Sequence, residues 1–228
     1  MFIKRTLLVF VGPDGSGKTT VIENLKTRLS PHCQIELNHI RFNNIPRAGN
    51  LKAFIFSLFN PRIQTLRSRT KSNLIGPDSK YIYGPKFPLW KIIPLLSYEI
   101  FDYILGYFTI FRIAFTGSSH QNTLILFDRY LSDFYTEKDW SNTPRWFMNF
   151  LLLLAPSPDY IFFMKNSPEK IHSRKYELSI DDIDIVNNRI QSLLCKKTNF
   201  VSLDTNNSPD ELVEIIMAML VEKNIDVR

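Results

Sequence analysis

Apolar residues fall into short runs along this chain, and stretches with helical spacing separate them. The first run, residues 6–11, is uninterrupted, which is typical of a strand buried on both faces of a parallel sheet. Further strands are predicted at 34–37, 123–127, 160–164 and 199–203. Such alternation of strands and helices predicts an α/β protein with a five-stranded parallel sheet flanked by helices.

The predicted helices follow the strands. One is predicted over residues 19–26, and another from about 181 to 194 with Ser179 as its N-terminal cap. The last begins at Pro209 and has acidic residues in its first turn, where they favour the helix dipole. Residues 41–90 contain several prolines and mixed charges, and we expect loops and short helices there.

The longest apolar region covers residues 90–115. It is interrupted by a proline and by charged residues: Pro94, Glu99, Asp102 and Arg112. We therefore expect a long core helix after Pro94 and no membrane-spanning segment. A chain of 228 residues can bury one sizeable core, which predicts a single domain over 1–228 with an irregular insertion at about 41–90.

The loop after the first predicted strand has the strongest chemical signal. It matches the pattern G-x-x-x-x-G-K-[ST], and with the next residue it comprises Gly12, Pro13, Asp14, Gly15, Ser16, Gly17, Lys18, Thr19 and Thr20. Between a strand and a helix, these glycines let backbone N–H groups point at phosphates. Lys18 is expected to reach the β- and γ-phosphates, and the Thr19 hydroxyl to bind Mg²⁺. The pattern predicts a P-loop NTPase fold that binds ATP and Mg²⁺, the alternative being a glycine-rich turn.

A second group of polar residues follows the predicted strand at 123–127. Ligands gather at the carboxyl ends of strands in an open α/β sheet, so Asp128 and Arg129 are expected to face the same crevice as the loop. Asp128 can bind Mg²⁺ or a water on it, and Arg129 offers a planar fork to an anionic oxygen. The alternative is a structural salt bridge at a strand end.

These two motifs, with 158–160 opening a later strand and 203–205 closing the last one, resemble those of the thymidylate kinase family of P-loop nucleoside monophosphate kinases. The resemblance covers both ends of the chain, whereas residues 40–120 match poorly. It implies transfer of phosphate from ATP to thymidylate. It also implies that Asp14 contacts the acceptor sugar hydroxyl, that Arg129 binds the acceptor phosphate, and that a basic lid closes over ATP.

The lid candidate lies at about 173–180. The γ-phosphoryl group needs positive charge over its equatorial oxygens, and the loop itself has no basic residue except Lys18. Arg174 or Lys175 is therefore expected to supply that charge. The alternative for both is a solvated charge pair at a helix end.

The chain also departs from the family pattern. Arg41 stands where the family has Arg-Glu-Pro-Gly, so it can face the acceptor but its acidic neighbour is missing. Tyr98 and Asp102 fall at the positions of the thymine pocket, where the family has an aromatic ring and an arginine. An ionised Asp102 opposite thymine O4 predicts that thymidylate is a poor acceptor, compared with an exocyclic amine or sugar hydroxyls. A core aromatic residue and an exposed acid are the alternatives for these two positions.

Charge and cysteine content bear on two further questions, which are nucleic-acid binding and the cellular compartment. The net charge of +6 is concentrated in residues 62–80 and is explained by a solvated face or by anionic substrates. Nucleic-acid binding is not expected, because no recognition module accompanies the charge. Cys33 and Cys195 lie far apart, which favours a reduced, cytoplasmic protein. The first strand enters the loop directly, which argues against a secretory signal.

The sequence thus predicts a kinase that uses ATP and Mg²⁺ to phosphorylate a small acceptor, with thymidylate the acceptor implied by resemblance. One alternative is a kinase for a sugar or glycan acceptor, because the Arg-Lys-x-Glu-Leu-Ser lid resembles that of thymidylate kinase-like variants associated with surface-polysaccharide synthesis. Another is an ATPase or GTPase switch or a nucleotide-binding regulator, although the chain lacks an Asn-Lys-x-Asp guanine motif. The oligomeric state stays open, with a homodimer as one option.

Overall fold

The computed structural model describes residues 5–39, 123–136, 143–154, 157–176 and 178–222. The predicted insertion at 41–90 and the predicted helix after Pro94 lie outside these ranges. So do three predicted acceptor-site residues: Arg41, Tyr98 and Asp102.

Five strands form one parallel sheet in the order β2–β3–β1–β4–β5. The strands are β1 (Arg5–Val11), β2 (Gln34–His39), β3 (Thr123–Asp128), β4 (Tyr160–Lys165) and β5 (Phe200–Asp204). All five were predicted, with differences only at their ends. The expectation of a five-stranded parallel sheet flanked by helices is therefore confirmed.

The described helices connect and cover these strands. They are α1 (Lys18–Leu29), α2 (Ser132–Thr136), α3 (Arg145–Leu154), α4 (Pro168–Arg174), α5 (Ile180–Leu194) and α6 (Pro209–Glu222). Ser179 caps α5 as predicted, since its hydroxyl accepts a hydrogen bond from the backbone N–H of Asp182 at 3.2 Å. None of the helices in these ranges is both long enough and apolar enough to cross a membrane.

The central strand β1 is apolar over residues 7–11 because helices cover both faces of the sheet. Leu7, Val9 and Val11 pack on one face with residues of α3 and α5. Leu8 and Phe10 point to the other face and pack with residues of α1 and α6. Side chains alternate between the two faces of a strand, so a strand covered on both faces is apolar at successive positions.

The strand order determines where the loops meet. Strand β1 lies between β3 and β4, and Phe10 is in register with Asp128 at the carboxyl ends of β1 and β3. The backbone N–H of Arg129 donates to the Phe10 carbonyl at 2.8 Å. The loop after β1 and the loop after β3 therefore leave the sheet side by side, next to the point where chain connections diverge.

Candidate functional site

The loop between β1 and α1 has a backbone that needs glycine. Gly12, Gly15 and Gly17 have φ angles of 150°, 88° and 93°. An added Cβ at Gly12 would lie 2.9 Å from the carbonyl oxygen of Met164 and 2.9 Å from the Ser16 hydroxyl. The first glycine of the motif is thus required both for its backbone conformation and for close packing against β4.

The loop delivers the N-terminus of α1 to the site. Gly17 is the N-cap residue, and no side chain caps this end of the helix. The first-turn N–H groups and the positive end of the helix dipole are therefore available to an anion. The Ser16 hydroxyl is fully buried and has no hydrogen-bond partner within the described part of the chain. A buried polar atom of this kind next to a helix N-terminus is typical of a site that accepts a ligand.

Lys18 is held inside the loop. Its Nζ donates hydrogen bonds to the carbonyl oxygens of Gly12 at 2.7 Å and Pro13 at 2.8 Å, and the residue is only 5% exposed. Burial lowers the pKa of Lys18, and the nearby negative charges of Asp133 and Asp14 oppose that shift. The loop thus holds a buried ammonium group at its base.

Arg129 joins the two loops. It leaves β3 with a φ of 87°, in the left-handed region that non-glycine residues rarely adopt. Its Nη2 donates to Asp14 Oδ1 at 2.5 Å, and its Nη1 donates to Asp133 Oδ2 at 3.1 Å. Burial raises the pKa of the Asp14 carboxyl, but the positive charges of Arg129, Lys18 and Lys175 outweigh burial and hold it below its usual value.

The predicted lid begins at the end of α4. Lys175 Nζ lies 3.8 Å from Asp14 Oδ2, on the same carboxylate that binds Arg129. Arg174 Nη1 would lie 3.9 Å from a Cβ added at Gly17, so the guanidinium is over the loop. In the described ranges no carboxylate forms an ion pair with Arg174.

A hydrogen bond closes the base of the lid. His172 Nδ1 lies 2.7 Å from the carbonyl oxygen of Leu178, which can only accept, so Nδ1 is the donor. The His172 ring also packs edge-on against Tyr176, with centroids 5.1 Å apart. The chain thus turns back on itself directly after Arg174 and Lys175.

The loop, the end of β3 and the lid surround one cavity of about 830 Å³. Predicted site residues that line it are Asp14, Gly15, Ser16, Gly17, Lys18, Thr19, Thr20, Asp128, Arg129, Arg174 and Lys175. Gly12 and Pro13 do not line it, because they lie behind the Lys18 ammonium that they bind. The structure therefore brings together predicted residues from three separate parts of the chain.

Two oxygen-bearing side chains lie where a metal could bind. Thr19 is exposed in the first turn of α1, and Asp128 is 6% exposed at the end of β3. Both line the same cavity. A hydroxyl and a carboxylate suit Mg²⁺, which usually takes few protein ligands and completes its shell with phosphate oxygens and water.

Sequence reasoning missed two parts of this site. One is Asp133, which stands four residues after Arg129 but received no role. The other is a wall after β5, formed by Thr205, Asn207, Pro209 and Leu212. The wall could have been found from the rule that ligands gather at the carboxyl ends of parallel strands, since β5 ends at Asp204.

Comparison with known proteins leaves the family of this chain unassigned. No protein-family model matches it, and no curated protein matches it. The fold and the site define an α/β protein with a cation-rich cavity at the carboxyl edge of a parallel sheet.

Proposed function

We propose that this chain is a P-loop kinase that binds ATP and Mg²⁺ at the loop over residues 12–19 and phosphorylates a small acceptor. One observation carries the proposal: the Lys18 ammonium is buried within a loop of positive-φ glycines at an uncapped helix N-terminus. Backbone N–H groups, a helix dipole and a fixed ammonium are the features that bind polyphosphate. The order of the sheet supports the same class.

The residues present fit the donor nucleotide. Lys18 Nζ has three N–H donors, and two of them donate to carbonyl oxygens of the loop. It can replace one of these carbonyl oxygens by a phosphate oxygen as its acceptor. The Ser16 hydroxyl and the first-turn N–H groups of α1 would take further phosphate oxygens. Thr19 and Asp128 would hold Mg²⁺. When bound, ATP and the metal supply the transferable γ-phosphoryl group and neutralise its charge.

The acceptor side is assigned to Arg129 and Asp14. Arg129 is the only arginine at the end of β3, and its guanidinium lies at the cavity wall, where it suits a phosphate or another anionic group. Asp14 accepts from it and can also accept from an acceptor hydroxyl. The resemblance stated above favours thymidylate, while Asp102 favours an acceptor with an amine or with sugar hydroxyls.

Arg174 and Lys175 are proposed to complete the catalytic charge. Phosphoryl transfer needs little covalent help from the protein, so positioning and charge neutralisation dominate. Arg174 lies over Gly17 without an ion pair to any carboxylate in the described ranges, which leaves its guanidinium available to the γ-phosphoryl oxygens. For an ionised phosphate acceptor, the acceptor oxygen would form the new bond to phosphorus as the bond to the bridging oxygen breaks and ADP leaves, with no proton released.

The proposed setting is the cytoplasm. The described ranges contain no helix suited to cross a membrane, and the two cysteines are free thiols, one buried and one exposed. A reducing compartment would keep both thiols free. The proposed partners are small molecules, and the alternative partner is a second copy of this chain in a homodimer.

A coupled ADP-release assay tests the function. Purified protein is given ATP and Mg²⁺ with thymidylate, other nucleoside monophosphates or sugars in turn, and we expect turnover that depends on one acceptor class. Lys18→Ala should reduce kcat at least about a hundredfold, as expected for loss of one preorganised donor. Lys26→Ala, an exposed lysine on the same helix, is the matched control and should change little.

The outcomes separate the alternatives. ATP hydrolysis at a rate that does not depend on any acceptor would favour an ATPase switch. Turnover in Lys18→Ala close to that of the wild type, or no binding of ATP by the wild type in a calorimeter, would remove the phosphate-loop assignment.

A further inference from the structure

Asp133 occupies a fixed place beside the cavity. Its backbone N–H donates to the Tyr130 carbonyl at 2.9 Å, and its own carbonyl accepts from the Thr136 hydroxyl at 2.8 Å. The side chain is 14% exposed, and Oδ2 accepts from Arg129 Nη1 at 3.1 Å. The carboxylate therefore faces Arg129 from a short helix whose backbone is held by hydrogen bonds on both sides of it.

The two carboxylates bound to Arg129 accept from different nitrogens, Asp14 from Nη2 and Asp133 from Nη1. Asp14 belongs to the phosphate loop and is 33% exposed, so it can be approached from the cavity. Asp133 is less exposed and does not line the cavity. An anion that enters the cavity would compete with Asp14 for Nη2, whereas Asp133, which does not line the cavity, would keep its hydrogen bond from Nη1. A planar guanidinium held at one nitrogen keeps its orientation when the other is released.

The backbone of Arg129 makes this support necessary. Its φ of 87° is unfavourable for a residue with a side chain, and such strain persists only where surrounding contacts impose it. The hydrogen bond from its N–H to Phe10 holds the main chain, and Asp133 holds the side chain. A long arginine side chain without such a partner loses rotamer order.

Electrostatics point the same way. Burial lowers the pKa of Arg129, but the charges of Asp133 and Asp14 outweigh it, so that the pKa of the guanidinium is raised. Asp133 is also the strongest of the charges that offset the burial of Lys18. Removing the negative charge of Asp133 would leave the positive charges of Arg129 and Lys18 with less opposite charge near them.

We infer that Asp133 is a positioning residue, which fixes the guanidinium of Arg129 at the cavity wall and so sets the affinity for an anionic acceptor without touching it. This inference rests on the proposed function of Arg129. It assigns a role to a residue outside the loop, the strand-end pair and the lid.

The first test follows the guanidinium itself. Nitrogen NMR of the arginine side chains, with the Arg129 signal identified by its loss in Arg129→Lys, measures rotation about the Nε–Cζ bond. We expect slow rotation in the wild type and clearly faster rotation in Asp133→Ala, with Asp133→Asn between them. Asp184→Ala, an exposed aspartate on α5, is the matched control. Unchanged rotation in Asp133→Ala would overturn the inference whatever the enzyme does.

The second test is kinetic and uses thymidylate as the probe. Loss of a hydrogen bond between charged groups predicts that Asp133→Ala raises the KM for thymidylate about tenfold, while the KM for ATP changes about twofold or less. Asp133→Glu should restore part of the loss. In the Arg129→Ala background, Asp133→Ala should leave the KM for thymidylate unchanged, because Asp133 acts on the acceptor only through Arg129. Additive effects would show that Asp133 acts by another route.

The two failures can be told apart. If Lys18→Ala leaves turnover intact, the kinase assignment fails, but the NMR result still reports whether Asp133 orders Arg129. If the kinase assignment holds and the KM for thymidylate is the same in Asp133→Ala and the wild type, the positioning role is wrong and the function stands. Circular dichroism and thermal unfolding confirm beforehand that each variant is folded.

Discussion

The loop over residues 12–19 and the segment at about 173–180 place positive charge on the same cavity by different means. Lys18 is 5% exposed, and its ammonium donates to two backbone carbonyl oxygens of the loop and lies 3.9 Å from Asp14 Oδ1. Lys175 is 43% exposed and meets Asp14 only at 3.8 Å. The Arg174 guanidinium stands over Gly17, and its Nη1 would lie 3.9 Å from a Cβ added there.

This difference in burial predicts the stage of the proposed reaction at which each region acts. A buried cation fixed by the backbone is already in place before a ligand binds, so no ordering is needed at that moment. A cation on a solvated helix end has to be ordered by the ligand, and exposed ion pairs contribute little on their own. We therefore expect the loop to determine binding and stability, and the lid to act mainly in the transition state.

The largest effect is expected from Gly12→Ala, which tests whether the loop is preformed. The added Cβ meets a backbone carbonyl of β4 at 2.9 Å, at a φ of 150°, so the loop or the strand has to shift. We expect a loss of about 2 to 4 kcal/mol in the free energy of unfolding, measured by urea denaturation, together with loss of ATP binding.

Gly17→Ala is the matched control for that change. Its φ of 93° is also positive, but the nearest atom to the added Cβ is the end of a flexible arginine at 3.9 Å. Only backbone strain remains, which predicts a loss of about 1 to 2 kcal/mol. Equal losses in the two variants would mean that packing against β4 does not matter.

Arg174→Ala is expected to have the next largest effect and tests the role of the lid. If the guanidinium acts on charge that develops during transfer, kcat falls by about ten- to a hundredfold and the KM for the acceptor changes much less. Arg129→Ala should show the reverse pattern, with a raised KM for thymidylate and a smaller change in kcat. Steady-state kinetics of both variants decide the matter, and identical changes confined to ATP binding would contradict this division of roles.

A smaller effect is expected from Lys175→Ala. Its ammonium is partly solvated and lies 3.8 Å from Asp14 Oδ2, so we expect kcat to fall by about threefold or less. The dependence on salt should weaken at the same time, because exposed charges are screened. If kcat falls as much in Lys175→Ala as in Arg174→Ala, the catalytic charge has to be assigned to Lys175 as well as to Arg174.

The smallest expected effect is on the pH dependence of stability, and it tests whether the Asp14 carboxylate stabilises the fold. Its pKa in the folded state lies below the ordinary value of 3.8, so its ionised form stabilises the fold. That contribution is complete above about pH 5 and is lost as pH falls through the folded-state pKa. In urea unfolding, the difference between wild type and Asp14→Asn should shrink from about pH 6 to about pH 3. An unchanged difference would show that the charges of Arg129 and Lys175 do not stabilise the Asp14 carboxylate.

Local features of the fold could be predicted from the sequence because they depend on neighbouring residues. Runs of apolar residues identified the strands, since a strand covered on both faces needs them. Ser179 was identified as a cap because its hydroxyl reaches only the next turn. The loop motif and its glycines belong to the same class, as each φ angle is a property of one short segment.

Tertiary structure decided which of these segments meet. Arg129 lies 115 residues from Asp14, yet the two are hydrogen-bonded because β3 lies beside β1 in the sheet. The wall at Thr205 and the contact of Lys175 with Asp14 likewise depend on β4 and β5 lying on the other side of β1. Apolar patterning specifies that a strand is buried but not which strand lies next to it. The composition of the cavity, including the place of Asp133, therefore follows from strand order rather than from any local pattern.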